Sequence, residues 1–207
     1  LSSQKPLHMC TEEKGMKKRL RILALYRTAE LKKNIAGILD NENAFYTTYA
    51  FLDSGDICQL SAEKDPDIIL LEASVDKDGH SAIAYGRELR LRTCAQLLIL
   101  GPSKDRAAVI ETSTQTFASG YISPEQIPFL HQIICETWRG DTPQKILIRE
   151  LILSSLTAAE RKVLEILLGA RDDLLSSPKT IANQKTSTFH KLGLKNLQEL
   201  QHIFWHY

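Results

Sequence analysis

Three short runs in this chain are apolar almost without interruption: Leu20-Arg21-Ile22-Leu23-Ala24-Leu25, Asp67-Ile68-Ile69-Leu70-Leu71 and Gln96-Leu97-Leu98-Ile99-Leu100. A strand with one wet face alternates apolar and polar residues. A run that does not alternate must be covered on both faces, as parallel strands between helices are. The intervening sequence supplies the covers. Residues 31–39 show helical spacing, 44–50 a weaker strand, and 57–63 a short helix. Residues 81–92 and 105–117 read as helices, Gly120-Tyr121-Ile122 as a short strand, and 124–138 as a further helix. Strand–helix units in succession predict a five-stranded parallel sheet with helices on both faces.

Right-handed crossovers favour a flavodoxin-like, doubly wound order for such a sheet. From about Asp141 no strand signal remains. Residues 146–156 form an apolar helical segment. Thr157-Ala158-Ala159-Glu160 has the form of a capping box, followed by Val163, Leu164, Leu167 and Leu168 on one face. Asn196-Leu197-Gln198-Glu199 opens a last helix whose apolar face is Leu197, Leu200, Ile203 and Phe204. The expected organisation is a flexible extension over 1–17, with Met16 a candidate start, an α/β domain over 18–140, a helical linker over 141–155 and a small all-α domain over 156–207.

The bulk numbers exclude more than they assign. The 207 residues hold one large or two small domains, 43% are hydrophobic, 25% charged, and the net charge is +1. No stretch is apolar for long enough to span a bilayer, and the N-terminus lacks a signal-peptide pattern. Cys10, Cys58, Cys94 and Cys135 have no metal-ligand spacing, so they read as reduced thiols of a cytoplasmic protein. Cys94 and Cys135 fall in apolar surroundings and read as packing residues. His202 and His206, four apart, read as a surface pair, since two ligands are too few for a metal. With no nucleophile–base pair, phosphate loop or metal cluster, neither an enzyme nor a cofactor or metal site is expected.

The segment from Ser177 to Gly193 carries the functional signal. Ser177 has the chemistry of an N-cap, Pro178 suits the first helical position, and Gly193 can take the left-handed stop. Every charged residue from Lys179 to Lys195 is basic, whereas acids gather elsewhere. Cationic and hydroxyl side chains on one outer face suit phosphates and base edges in a major groove. The segment resembles the recognition helix of LuxR/FixJ/NarL-type helix-turn-helix regulators, which carry a run like S-x-K-T-V-x-x-H-x-x-x-I-x-x-K-L-G. Ser177, Lys179, Thr180, Ile181, Lys191, Leu192 and Gly193 match in register, while Gln184 replaces the histidine and Thr188 an apolar residue.

That resemblance implies base-facing positions at Ala182, Asn183 and Thr186, with Asn183 suited to adenine. It implies phosphate contacts from Lys179, Thr180, Lys185 and Lys191, and core roles for Ile181, Phe189 and Leu192. The last helix, ending at Trp205, would pack between two copies of a homodimer. One departure stands out. Only residues 169–176 lie between the first helix and the recognition helix, so the scaffold helix is shortened by about six residues, nearly two turns.

The α/β half resembles the receiver domain of response regulators (a CheY-like fold), and the whole chain an atypical, orphan member of that group. A working receiver holds magnesium with an acidic pair and accepts phosphate on an aspartate. A Thr/Ser and a Lys bind the phosphoryl group. Here the acidic pair falls on Tyr26 and Arg27, the acceptor on Glu72, the Thr/Ser on Gly101 with Ser103 near, and the Lys on Pro124. The resemblance therefore implies a degenerate receiver without aspartyl phosphorylation or magnesium. Glu72 is open to two readings: a mimic of the phosphorylated state paired with Arg27, which is favoured, or a drifted residue.

The expected function is sequence-specific binding of double-stranded promoter DNA by a phosphorylation-independent transcription regulator. A small-molecule or protein effector can act at the receiver, and no membrane partner is expected. The alternative is a protein-interaction module, an antagonist of an intact regulator, docking through the apolar helices 146–156 and 197–205.

Overall fold

The computed structural model describes residues 19–53, 55–73, 82–102, 104–170 and 178–204. Expectations for the 1–17 extension, Ser81, Ser103, the Ser177 cap, the shortened scaffold at 171–176, Trp205 and His206 lie outside them.

The chain runs β1 (Leu20–Tyr26), α1 (Ala29–Leu39), β2 (Phe45–Phe51), α2 (Ile57–Lys64), β3 (Ile68–Glu72), α3 (Ala82–Arg92), β4 (Gln96–Leu100), α4 (Arg106–Gln115), β5 (Gly120–Ile122), α5 (Leu130–Arg139), α6 (Pro143–Leu153), α7 (Ala158–Leu167), α8 (Pro178–Leu192) and α9 (Leu197–Phe204). The five strands are parallel in the order β2-β1-β3-β4-β5, the doubly wound arrangement expected. The pleat sends successive side chains to opposite faces. Ile22, Ala24, Leu70, Leu98 and Ile122 meet Ile35 and Leu39 of α1 and Leu130 and Ile134 of α5. Leu23, Leu25, Ile69, Leu71, Leu97 and Ile99 meet Ile57 of α2 and Ala82 and Leu89 of α3. All five residues of β3 are buried, which is why that run does not alternate. Truncating one of its isoleucines or leucines to alanine costs about 2–5 kcal/mol.

Helix starts follow their caps. Thr28, Asp56, Asp105, Thr142 and Thr157 each accept a backbone N–H of the first turn. The expected helix over 124–138 is two pieces, a 3-10 turn Pro124–Phe129 and then α5. Pro128 removes the N–H that an α-ladder would need there. Of the two cysteines read as packing residues, one is corrected. Cys94 is exposed in the loop after α3, whereas Cys135 is half-buried against the first core.

The segment read as a linker is a packed element. Gln144 of α6 donates from Nε2 to the Tyr121 carbonyl at 3.0 Å, fixing the helix beside the β5 edge. The helical core then joins Leu153, Leu156, Leu164, Leu192, Leu194, Leu200 and Phe204. Phe117, from the α4–β5 turn, is part of it. Among the described residues no helix is long and apolar enough to cross a membrane.

Candidate nucleic-acid interface

Helix α8 has an inner and an outer face. Thr188 and Leu192 are buried and Ile181 and Phe189 half-buried; Leu192 and Phe189 pack in the helical core. Lys179, Ala182, Asn183, Thr186 and His190 are exposed, and their spacing of three or four residues places them on one stripe. Thr180 is exposed at the same end. Thr186 donates its hydroxyl to the Ala182 carbonyl at 3.1 Å, so its oxygen faces out as an acceptor. Lys185 is half-buried at the edge of the stripe, its Nζ 5.6 Å from the Phe189 ring centroid. Gly193 ends the helix at φ +64°, where residues with a Cβ are strained.

The helix is held by an acid that the sequence shows only as a cap. Glu160 of α7 is 3% exposed. Its Oε2 accepts from the Thr157 backbone N–H at 2.7 Å, and the Thr157 hydroxyl accepts from the Glu160 N–H at 3.3 Å. The capping box is therefore real. Ser187 donates to Glu160 Oε1 at 2.6 Å and Lys191 Nζ to Oε2 at 2.7 Å. The Lys191 ammonium, then Ser187 and the Thr157 N–H, hold the Glu160 carboxyl down at about 2. Lys191, assigned to phosphate on sequence, is thereby tied into the α7–α8 joint.

A second set of contacts docks the helical part on α3, and sequence reasoning missed all of it. Arg87 donates to the carbonyls of Leu192 and Gly193 at 2.9 and 3.0 Å, the end of α8, and to Gln115 at 3.0 Å. Its guanidinium lies 4.7 Å over the Phe117 ring. Phe117 has φ +54°, an outlier for a bulky residue, while its ring sits in the helical core. Arg90 reaches the carbonyls of Phe117, Ala95 and, on α9, Ile203. His202 Nδ1 is 2.6 Å from the Leu91 carbonyl and must donate, so it is a joint between elements rather than half of a surface pair. Leu200 and Phe204 of α9 are buried within this chain. The apolar face expected to pack between two copies is thus largely spent.

At the carboxyl ends of the strands the expected receiver positions come together. Glu72 is 8% exposed. Its Oε2 accepts from the backbone N–H groups of Arg27 at 2.6 Å and Thr28 at 3.0 Å, and its Oε1 from the Thr28 hydroxyl at 2.9 Å. Arg27 therefore meets Glu72 through its backbone, while its guanidinium pairs with Asp53 at 3.1 Å. Tyr26 packs edge-on against Phe51. A Cβ on Gly101 would collide with the Tyr121 hydroxyl and stand 2.7 Å from its ring carbon, so a buried tyrosine fills the place of a Thr/Ser side chain. Pro124 opens the 3-10 turn. This donor set does not fit a hard cation, which needs several free oxygens: an aromatic and a guanidinium replace the acids, and the Glu72 oxygens already accept three hydrogen bonds. A cleft of about 270 Å³ remains, bordered by Thr28, Leu31, Gly101, Pro102 and Ile127.

Solved structures share this architecture. The RcsB response regulator of Salmonella typhimurium matches 90% of this chain and 98% of its own at 18% identity, with a TM-score of 0.52. A LuxR-family two-component response regulator from Aurantimonas sp. matches 66% of the chain and 97% of its own at 19% identity and TM-score 0.53. The α/β part has the CheY-like fold that these structures share. The response regulator domain of Thermotoga maritima CheB also matches, covering 60% of this chain and all 100% of its own at 15% identity and TM-score 0.52. Neither a protein-family model nor a curated protein sequence matches the chain.

Proposed function

We propose that this protein is a sequence-specific DNA-binding transcription regulator that works as a homodimer and without aspartyl phosphorylation. The observation that carries the reading is the outer stripe of α8, basic and hydroxyl-bearing and without an acid, on a helix held from behind by Glu160. Asn183, Ala182 and Thr186 read base edges, and Lys179, Thr180 and Lys185 contact phosphate. Lys191 positions the helix. The RcsB structure that resembles this chain concerns conformational dynamism for DNA interaction.

Three features support independence from phosphorylation: the occupied Glu72 oxygens, the guanidinium in place of an acid, and Tyr121 over Gly101. Glu72 acts here as a strut that fixes the β1–α1 turn, through the residue that caps α1. The remaining cleft is where an effector would act, since doubly wound sheets bind ligands at the carboxyl ends of their strands. Leu147 and Leu151, 65% and 45% exposed and one turn apart on α6, supply an apolar dimer contact. The same two residues are what favours the alternative, a module that docks on an intact regulator.

Binding of a selected fragment by Asn183→Ala and Lys185→Ala tests the reading. Asn183→Ala loses discrimination at one base pair, about 1–3 kcal/mol. Lys185→Ala weakens all sequences alike and lowers the salt slope by about one. Stoichiometric capture of a regulator protein, with no DNA retention, supports the docking module instead.

A further inference from the structure

Arg90 is 5% exposed and has no carboxylate partner among the described residues; three backbone carbonyls take its donors. Burial lowers its pKa to about 10, so it keeps its charge at neutral pH. Carbonyl dipoles solvate a guanidinium but do not neutralise it, and an uncompensated buried charge is costly. Arg90 borders a cavity at the junction of α3, β4, α6 and α9, with about 40 Å³ open to the centre of a water molecule. One water needs about 10–15 Å³ by that measure, so the space holds a small ion.

The lining has one sign of charge. Lys145 and Arg149 of α6 join Arg90 there, and among the described residues no acid lines the cavity. Asp141, outside the lining, pairs with both α6 cations, at 2.9 and 3.5 Å. Gln96, 3% exposed, also lines the cavity, and its Oε1 has no partner among the described residues. The carbonyl and amino ends of such an amide exchange by a flip. Phe117, Ile152 and Ile203 form apolar walls.

We propose that this cavity binds a small anion, an inorganic oxyanion or a short-chain carboxylate, held by Lys145, Arg149 and the Gln96 amide beside Arg90, and that the anion fastens α6 and α9 to the α/β domain. The bound charge faces the buried Arg90 guanidinium and bridges elements far apart in sequence. An inorganic oxyanion uses the donors alone, whereas a short carboxylate also fills the apolar wall.

Calorimetric titration of the full-length protein with potassium phosphate, and separately with sodium butyrate, tests this at constant ionic strength made up with chloride. Saturable binding of one equivalent of either probe is expected. A saturating probe at a hundred times its Kd raises Tm by about 5–10 °C. Arg149→Met, checked for folding by circular dichroism, loses that rise, and phosphate binding against butyrate binding separates the two classes. If neither probe binds saturably to the unmodified protein, or if the rise persists undiminished in Arg149→Met, the site does not exist. DNA takes no part in this experiment, so either outcome leaves the reading of α8 standing.

Discussion

Thr188→Val is a sharp test of how α8 is seated. Thr188 is 0% exposed, and among the described residues its hydroxyl has no hydrogen-bond partner. It stands at a position that LuxR-type helices fill with an apolar residue. Valine has the same branched shape, so the swap exchanges an unsatisfied hydroxyl for a methyl group. A buried, unpaired polar group costs about 1–3 kcal/mol. The variant is therefore expected to be more stable by about that amount. For a chain of this size each kcal/mol is worth about 2–4 °C in Tm. Urea unfolding followed by circular dichroism, with m unchanged, reads the difference directly. Because Thr188 lies on the inner face, affinity for DNA should stay within about twofold, well inside the tenfold that 1.4 kcal/mol represents. Destabilisation by about 1 kcal/mol or more would refute the reasoning, since it would mean that the hydroxyl has a partner.

Three further predictions concern the acids. The folded-state pKa of Glu160 lies at about 2, below the ordinary carboxylate value, so it stabilises the fold above about pH 4–5 and this contribution is lost as pH falls toward 2. Glu160→Gln should flatten the decline of the urea midpoint between pH 5 and pH 2; an unchanged decline would show that Lys191 and Ser187 do not hold the carboxylate. Glu72→Ala leaves the N–H groups of Arg27 and Thr28 without their acceptor and should cost about 1–3 kcal/mol in chemical unfolding. Acetyl phosphate should leave no phosphoryl adduct on the unmodified protein by mass spectrometry, and an adduct on the receiver would overturn the role given to Glu72.

The sheet was legible because buried parallel strands must be apolar on both faces. Residues 96–100 and 120–122 fall where their patterns put them, with no long-range information needed. The capping box at Thr157 was legible for the same reason, being a contact between residues three apart. What was hidden lies far apart in the chain. Arg87 and Arg90 look like the wet side of an amphipathic helix, yet their partners are Leu192, Gly193 and Ile203. Nothing local distinguishes a guanidinium bound to such carbonyls from one in water. Lys191 was read as a phosphate ligand because a cation on a basic helix is ambiguous until the facing acid is known. The polar replacements in the receiver positions were visible, but not that Glu72 would bind the backbone of Arg27 rather than its side chain.

In the proposed function the outer stripe of α8 reads DNA without a phosphoryl signal. Selection of bound fragments from genomic DNA by the untreated protein measures this most directly, followed by anisotropy titration of the enriched sequence against its scramble at fixed salt. The expected result is a recurrent half-site motif and binding at least about a thousandfold tighter than to the scramble. Equal affinity for the two sequences, or preference that emerges only after phosphodonor treatment, would contradict it.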